Sequence, residues 1–258
     1  MRIATWNVNG LRSRLEFVLH WLDARKPDIV GFQELKSTEE QFPWIDLEAA
    51  GYKALVHGQK AWNGVAILSR DEGEVRQRGL PGEDEFGSRL ITADFADLSF
   101  TTVYCPNGKN LAHEDFPRKL AWYDSLAEHW ANTQAADRPA VLCGDFNICP
   151  TDLDSHHSPT KTEARIFNTV DERQRFQRLL DLGLTDLFRH HKGDERMYSW
   201  WDYRGGSFHR NLGLRIDFLL ATAPLLGRVN DVVIDRDYRK KKDGLTASDH
   251  APVYADLD

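Results

Sequence analysis

RIATWNVNGLRSRLEFVLHWLDARKPDIVGFQE, residues 2–34, sets the fold class. Arg2–Val8 alternates as a strand does, and Asp28–Glu34 is a second strand whose Ile29, Val30 and Phe32 make the nearly continuous apolar run of a strand covered on both faces. Between them Leu11, Leu15, Val18, Leu19 and Leu22 form a helical stripe over Leu11–Ala24, ended near Lys26-Pro27.

Downstream, the strand patterns Lys53–Val56, Val65–Ser69, Val75–Arg78, Leu90–Phe95 and Ser99–Tyr104 are separated by Gly, Asn and Asp turn signals and read as an antiparallel meander. Asp115–Ala131, with Pro117 in its first turn, reads as a helix, and so does the amphipathic Asp171–Leu182. Ala140–Cys143, Tyr198–Trp201, Leu214–Ala221, Asp231–Ile234 and Pro252–Leu257 read as further strands. Helices interspersed among strands in both halves point to an α/β architecture of two packed sheets with helices outside. The 258 residues carry no repeat, long linker or low-complexity tract, so residues 1–258 are expected to form a single domain.

Hydrophobic residues at 41% and charged residues at 28% are globular values. No apolar run reaches the roughly 18–20 residues of a membrane span. The start of the chain lacks a signal-peptide pattern, and a soluble cytoplasmic protein with no membrane partner is expected. Cys105, Cys143 and Cys149 have no C-x-x-C spacing and read as reduced thiols. The net charge of −7 weighs against a non-enzymatic nucleic-acid binder, whereas an enzyme that gathers carboxylates around a metal carries local negative charge.

Four polar motifs stand at or near the ends of apolar strands: Asn7-Val8-Asn9-Gly10, Gln33-Glu34, Gly144-Asp145-Phe146-Asn147 and Ser248-Asp249-His250. Singly they read as a hairpin signal, a solvated carboxylate or a turn. Together they offer oxygen ligands from Glu34, Asn7 and Asp249, an acid/base carboxylate in Asp145 and an imidazole in His250, an inventory suited to phosphodiester hydrolysis assisted by a hard cation. Carboxylate and amide oxygens favour Mg²⁺, with Mn²⁺ as a substitute, over Zn²⁺. The pairs His156-His157 and His190-His191 read as solvated loop residues. Asp217, within a strand whose Ile216, Phe218 and Leu220 mark the opposite face, is either an exposed-face charge or a carboxylate that orients His250.

These motifs, with Tyr104 after a middle strand, Arg-Ile-Asp at 215–217 and Tyr-Ser-Trp-Trp at 198–201, resemble the exodeoxyribonuclease III and AP endonuclease family of the endonuclease/exonuclease/phosphatase superfamily. The resemblance implies a four-layer α/β sandwich of two packed mixed β-sheets flanked by helices. It implies Glu34 as the principal metal ligand with Asn7 and Asp249 nearby, and Asp145 as activator of the attacking water, with Asn147 positioning it. Tyr104 would lie beside the phosphate, and the Asp217–His250 pair would contact the phosphoryl group. Trp200, Leu214 and Ile216 match the family's apolar lesion pocket, with Leu214 in place of the tryptophan of animal enzymes, and Asn9 stands where those enzymes have an aspartate. Arg12, Lys109, Arg204, Arg210 and the run Arg239–Lys242 are candidates to hold the DNA backbone. The implied activity is Mg²⁺-dependent hydrolysis of double-stranded DNA by a monomer, 5′ to abasic sites and at blocked or recessed 3′ ends. A catalytically inactive regulator and a same-fold phosphoesterase with another substrate are the alternatives.

Overall fold

The computed structural model describes residues 1–157 and 165–258. Among the described residues twelve strands form two six-stranded sheets. The first runs β11 (Val229–Ile234), β12 (Val253–Leu257), β1 (Arg2–Asn7), β2 (Ile29–Gln33), β4 (Val65–Ser69), β3 (Lys53–His57). The second runs β5 (Glu74–Arg78), β6 (Leu90–Phe95), β7 (Leu98–Tyr104), β8 (Ala140–Asp145), β10 (Asp217–Thr222), β9 (Leu184–Asp186). One pair in each sheet, β1 with β2 and β7 with β8, is parallel and the rest are antiparallel, so both sheets are mixed.

Alternation along the strands builds the layers. Ile3, Ile29, Val65 and Ile67 of the first sheet meet Ile91, Phe100, Val141 and Leu219 of the second in the central core. The opposite faces, Ala4, Trp6, Val30 and Phe32 on one sheet and Leu142, Phe218 and Leu220 on the other, are covered by helices. Helix α1 (Leu15–Arg25) supplies Val18, Trp21 and Leu22, and α2 (Trp44–Ala49) supplies Leu47, to the first sheet. The helices α3 (Asp115–Thr133) and α4 (Val170–Asp181) supply Trp122, Leu126, Phe176 and Leu179 to the second. This is the four-layer α/β sandwich that the family resemblance implies.

The meander expected over residues 53–104 divides between the sheets. β3 and β4 join the first, where the wholly buried β4 needs neighbours on both edges, while β5 to β7 join the second with β5, exposed on alternate residues, at its edge. The helix expected from Leu11 begins at Leu15, after a tight turn over Arg12–Arg14. Tyr198–Trp201 is not a ladder strand: Trp200 makes single bridges to Leu214 and His250, and β10 starts only at Asp217. The short β9, α2, α5 (Leu187–Lys192) and α6 (Ala223–Leu226) have too few residues to show a period.

The sheets approach closely at Gly31, where an added Cβ would lie 2.5 Å from Thr102 Oγ1 and 3.1 Å from Cys143 Sγ. One step above, Gln33 Nε2 donates to Thr5 Oγ1 at 2.9 Å and Thr102 Oγ1 at 2.7 Å, a polar bridge between layers directly beneath the strand ends. Gly31→Ala is therefore expected to destabilise the fold by about 1–3 kcal/mol, the usual cost of overpacking a close contact, read as a lower urea midpoint at unchanged m-value; an unchanged midpoint would show that the sheets are not closely packed there.

Candidate active site

Strand register assembles the site. Asn7 is the Cα partner of Gln33 at the ends of β1 and β2, so Glu34 emerges beside it. In the other sheet Tyr104 pairs with Asp145 and Asp145 with Asp217, which places three of the expected residues on adjacent strands in one row. Asn9, Glu34 and Asn147 all hold left-handed backbone, with φ of 47°, 53° and 50°. Asparagine tolerates that region in turns, whereas Glu34 must be held there by its surroundings, a condition common at functional sites.

The two sheets are joined at this row by one amide. Asn7 Nδ2 donates to Glu34 Oε1 at 2.8 Å and to Asp145 Oδ2 at 2.9 Å, while its Oδ1 accepts the Asn9 backbone N–H at 3.0 Å. That last bond fixes the orientation of the carboxamide, so Asn7 presents its NH₂ and not its oxygen to the carboxylates; the oxygen ligand expected from the sequence is turned away. Asp145 Oδ1 accepts the Asn147 N–H at 3.0 Å, and Asn147 Nδ2 donates to the Cys105 carbonyl at 3.0 Å.

His250 lies across from Asp145 and is 4% exposed. Its Nδ1 bonds Asp217 at 2.9 Å, and Asp217 also accepts the Ser199 hydroxyl at 2.6 Å. His250 Nε2 stands 3.8 Å from Asp145 Oδ2. Asp217 is thus buried on the inward face with Leu219 and is not a surface charge. Ligand atoms of Glu34, Asp145 and His250 all lie within 4.8 Å of one another, a geometry able to hold a metal ion.

Burial pushes the Asp145 carboxyl up to about 7, with Asp217 and Glu34 adding to the rise and His250 opposing it. Burial alone would lower His250, but Asp217 above all, then Asp145 and Asp249, raise it to about 10. A protonated imidazole does not coordinate a cation, so in that state the cluster offers an ion the carboxylate oxygens of Glu34 and Asp145, with the proton on His250. Two hard oxygen donors fit Mg²⁺ or Mn²⁺ better than Zn²⁺.

Asp249 is directed elsewhere. Its carboxylate accepts Asn9 Nδ2 at 2.8 Å and Trp200 Nε1 at 3.0 Å; burial acts to raise it, but His250 and these two donors hold it below the usual carboxylate range. Tyr104, pushed well above the usual phenol value by burial and by the Glu34 and Asp145 charges, lines with Glu34 an open cleft of about 610 Å³ whose far wall carries Lys109. Lys109 pairs with Asp115 at 2.8 Å. Arg12 is exposed and borders a separate hollow with Glu16 and Thr246. Arg204 is held by Asp202, Lys240 and Lys242 by Asp237, and Arg239 is nearly buried, bonding the carbonyls of Asp249 and Trp201 at 3.1 Å. Within the run Arg239 braces the Asp249 segment, while Lys240 and Lys241 stay exposed.

Trp200, Leu214 and Ile216 come together in an apolar cluster with Cys149 and Phe167. The rung that carries Leu214 and Ile216 is fixed by Arg215, 1% exposed, between Asp154 at 2.7 Å and Asp186 at 2.8 Å. Sequence reasoning missed Lys36, which bonds Glu34 at 3.0 Å and Asn9 Oδ1 at 2.6 Å, as well as Ser199 and Phe167. Only Ser199 had a signal, its place in the Tyr-Ser-Trp-Trp segment. Of the histidine pairs, His190-His191 are solvated as expected but lie at the end of α5 and not in a loop, and His156 is half-buried and bonds the Gly213 carbonyl at 3.0 Å.

The model of the Endonuclease/Exonuclease/phosphatase family matches residues 4–250. Exodeoxyribonuclease III of Haemophilus influenzae is 36% identical, with 100% of both chains covered. Among solved structures, an AP endonuclease from Archaeoglobus fulgidus superposes with a TM-score of 0.95 at 38% identity, covering 100% of this chain and 99% of that one. A 3′-phosphatase from Neisseria, bound to a product DNA hairpin, does so with a TM-score of 0.94 at 40% identity and the same coverage.

The raised Asp145 carboxyl predicts how metal and pH interact. Its folded value near 7 lies above the ordinary 3.8, so this group favours folding below the ordinary value, and that contribution is lost as pH rises through 7. A divalent cation binds the ionised folded site and should restore what is lost. The rise in Tm on adding Mg²⁺ to chelator-treated protein is expected to be larger at about pH 8.5 than at about pH 5.5, with the difference shrinking in Asp145→Asn. Equal increments at the two pH values would exclude Asp145 from the metal-linked site.

Proposed function

The chain belongs to the endonuclease/exonuclease/phosphatase family, and within it we propose that it is a Mg²⁺-dependent DNA-repair phosphodiesterase, acting in the cytoplasm on duplex DNA at abasic sites and at blocked or recessed 3′ ends. The observation that carries this reading is the convergence of Glu34, Asp145 and His250 within 4.8 Å, with Asp217 orienting the imidazole. A catalytically silent relative would have no need of that arrangement, and among the described residues no helix is long and apolar enough to cross a membrane.

Each residue has a part set by its environment. Asp145, its carboxyl near 7, is a base matched to neutral pH and takes the proton of the attacking water. Asn147, fixed through its N–H to Asp145 and its side chain to Cys105, orients that water in line with the leaving 3′ oxygen. His250 stays protonated and directs a charge-assisted hydrogen bond at the phosphoryl oxygens, where charge accumulates. Asn7 holds Glu34 and Asp145 at fixed separation. A magnesium ion on Glu34 would supply Lewis-acid polarisation of a phosphate oxygen. Cleavage leaves a 3′-hydroxyl and a 5′-phosphate.

A second reading, in which 3′-end processing dominates over abasic incision, is favoured by Phe167. This residue has φ +75°, a genuine outlier for a bulky side chain, and packs on the apolar cluster of Trp200, Leu214 and Ile216 that would otherwise accept a bare sugar. The match to a Neisseria 3′-phosphatase is in keeping with it.

Glu34→Gln and Asp145→Asn are each expected to lose several orders of magnitude in turnover while DNA binding persists; near-normal turnover in either at saturating Mg²⁺ would refute the assignment. Products from a labelled duplex with one abasic analogue, compared with a recessed undamaged duplex and with inositol phosphates, separate the readings. If Phe167 bars the sugar, Phe167→Ala raises abasic incision relative to 3′ nucleotide release, and an unchanged ratio would remove that role.

A further inference from the structure

Behind the site lies a buried charge that the mechanism above does not use. Lys119, on α3, is 0% exposed, and so is its partner Glu172 on α4. The ammonium has three acceptors: Glu172 Oε1, the Asn147 carbonyl at 2.7 Å and the Asn107 carbonyl at 3.3 Å. Three N–H donors with three acceptors leave it fully satisfied. The Phe167 ring centroid lies 4.7 Å from the same nitrogen, within cation–π range. Gly108 allows the close approach, since a Cβ there would stand 3.0 Å from Lys119 Cδ.

Glu172 extends the connection. Its Oε1 also accepts the Phe167 N–H at 3.0 Å, and its Oε2 accepts the Thr169 N–H and hydroxyl at 3.0 and 2.8 Å, capping α4. One ion pair therefore touches both the loop that carries Asn147 and the residue that covers the apolar cluster. A surface lysine could stabilise α3 without such contacts. Here every polar contact of the ammonium leads to a loop at the reacting centre or to the base of the Phe167 wall.

We infer that Lys119 is a positioning residue for the hydrolytic reaction: paired with Glu172, it locks Asn147 against the reacting centre and Phe167 over the apolar cluster as one unit. The inference rests on the proposed reaction, because it needs Asn147 to orient the nucleophile. With the ammonium removed, the Asn147 carbonyl loses its Lys119 donor, and the Phe167 ring loses the cation that anchors it. Both turnover and the choice between abasic nucleotides and 3′ ends should then change together.

Removing one member of a buried pair strands the other charge, whereas replacing both with neutral groups of similar size is often tolerated. The test is Lys119→Met combined with Glu172→Gln, whose single carbonyl oxygen keeps an acceptor for the Thr169 N–H and hydroxyl but not for the Phe167 N–H, with Lys119→Met alone beside it to separate the two effects. It is assayed on recessed duplex, on abasic duplex and on bis(p-nitrophenyl) phosphate, a small diester indifferent to the DNA pocket. A folded double variant is expected to lose about ten- to a hundredfold in kcat on recessed duplex and on the small diester, the scale of a misplacement of about 1 Å. KM should stay within about twofold and Mn²⁺ affinity should be unchanged, because no metal-binding carboxylate is altered. The ratio of abasic incision to 3′ nucleotide release should rise. If the double variant does not fold, Lys119→Met alone carries the same expectations, since Glu172 keeps its three N–H and O–H donors. Wild-type kcat in a folded variant, or a change confined to KM, overturns the inference; a kcat loss with an unchanged product ratio overturns its Phe167 half. If wild-type protein cleaves the small diester but no DNA, the DNA reading fails, and the kcat comparison still decides the role of Lys119.

Discussion

The site exists because one carboxamide reaches across two sheets. Asn7 ends β1 and Asp145 ends β8, in different layers, yet Asn7 Nδ2 bonds both Asp145 and Glu34. Two carboxylates this near would repel strongly in a buried setting, and each N–H of the amide offsets part of that repulsion while fixing their spacing. The amide itself is held by the Asn9 N–H and by the strand end from which it projects. Layer packing and chemistry are therefore coupled: the Gly31 contact and the Gln33 bridge set how far apart the sheets stand, and that distance decides whether Asn7 can span it.

Charge balance follows from the same geometry. Asp145, Asp217 and His250 are all at most 4% exposed, so the group as a whole cannot rely on water to separate like charges. The imidazolium answers this by lying between two carboxylates, with Asp217 on Nδ1 and Asp145 beyond Nε2. Asp217 serves as counter-ion on Nδ1, braced by Ser199, and burial raises Asp145 to about 7. Asp217 accepting from Nδ1–H is compatible with a neutral ring as well; what favours the protonated imidazole is the combined charge of Asp217, Asp145 and Asp249 around it.

The layered fold and most of the site were legible in the sequence because strand ends carry both. Apolar alternation placed Asn7, Glu34, Asp145 and Asp249 at the ends of strands, and the family resemblance supplied their grouping. What alternation cannot show is which way a side chain turns once it leaves the ladder. Asp249, one residue from His250, gives its carboxylate to Asn9 and Trp200, and Asn7 shows its nitrogen where an oxygen was expected. Lys119 was illegible for a related reason: a lysine in an amphipathic helix reads as solvated, and only the approach of α4 buries it. Tyr198–Trp201 has a strand's composition but joins its neighbours through isolated bridges, since Arg215 and its two aspartates hold Leu214–Ile216 off the ladder.

An acidic protein that acts on a polyanion must gain its selectivity close to the scissile bond. The cations that the sequence offers as backbone contacts are mostly matched within the protein: Arg204 by Asp202, Lys109 by Asp115, Lys240 and Lys242 by Asp237. With a net charge of −7, the long-range field contributes little attraction. In the proposed reaction discrimination then falls to short-range features, namely His250, whose protonated ring would face the phosphoryl group, and the apolar cluster that Phe167 covers. Both are held by buried ion pairs, His250 by Asp217 and Phe167 through Lys119 and Glu172, and buried pairs are screened far less by salt than surface ones. Binding strength should therefore weaken with ionic strength more than the choice of bond does, because the first depends on exposed charge and the second on charge that solvent does not reach.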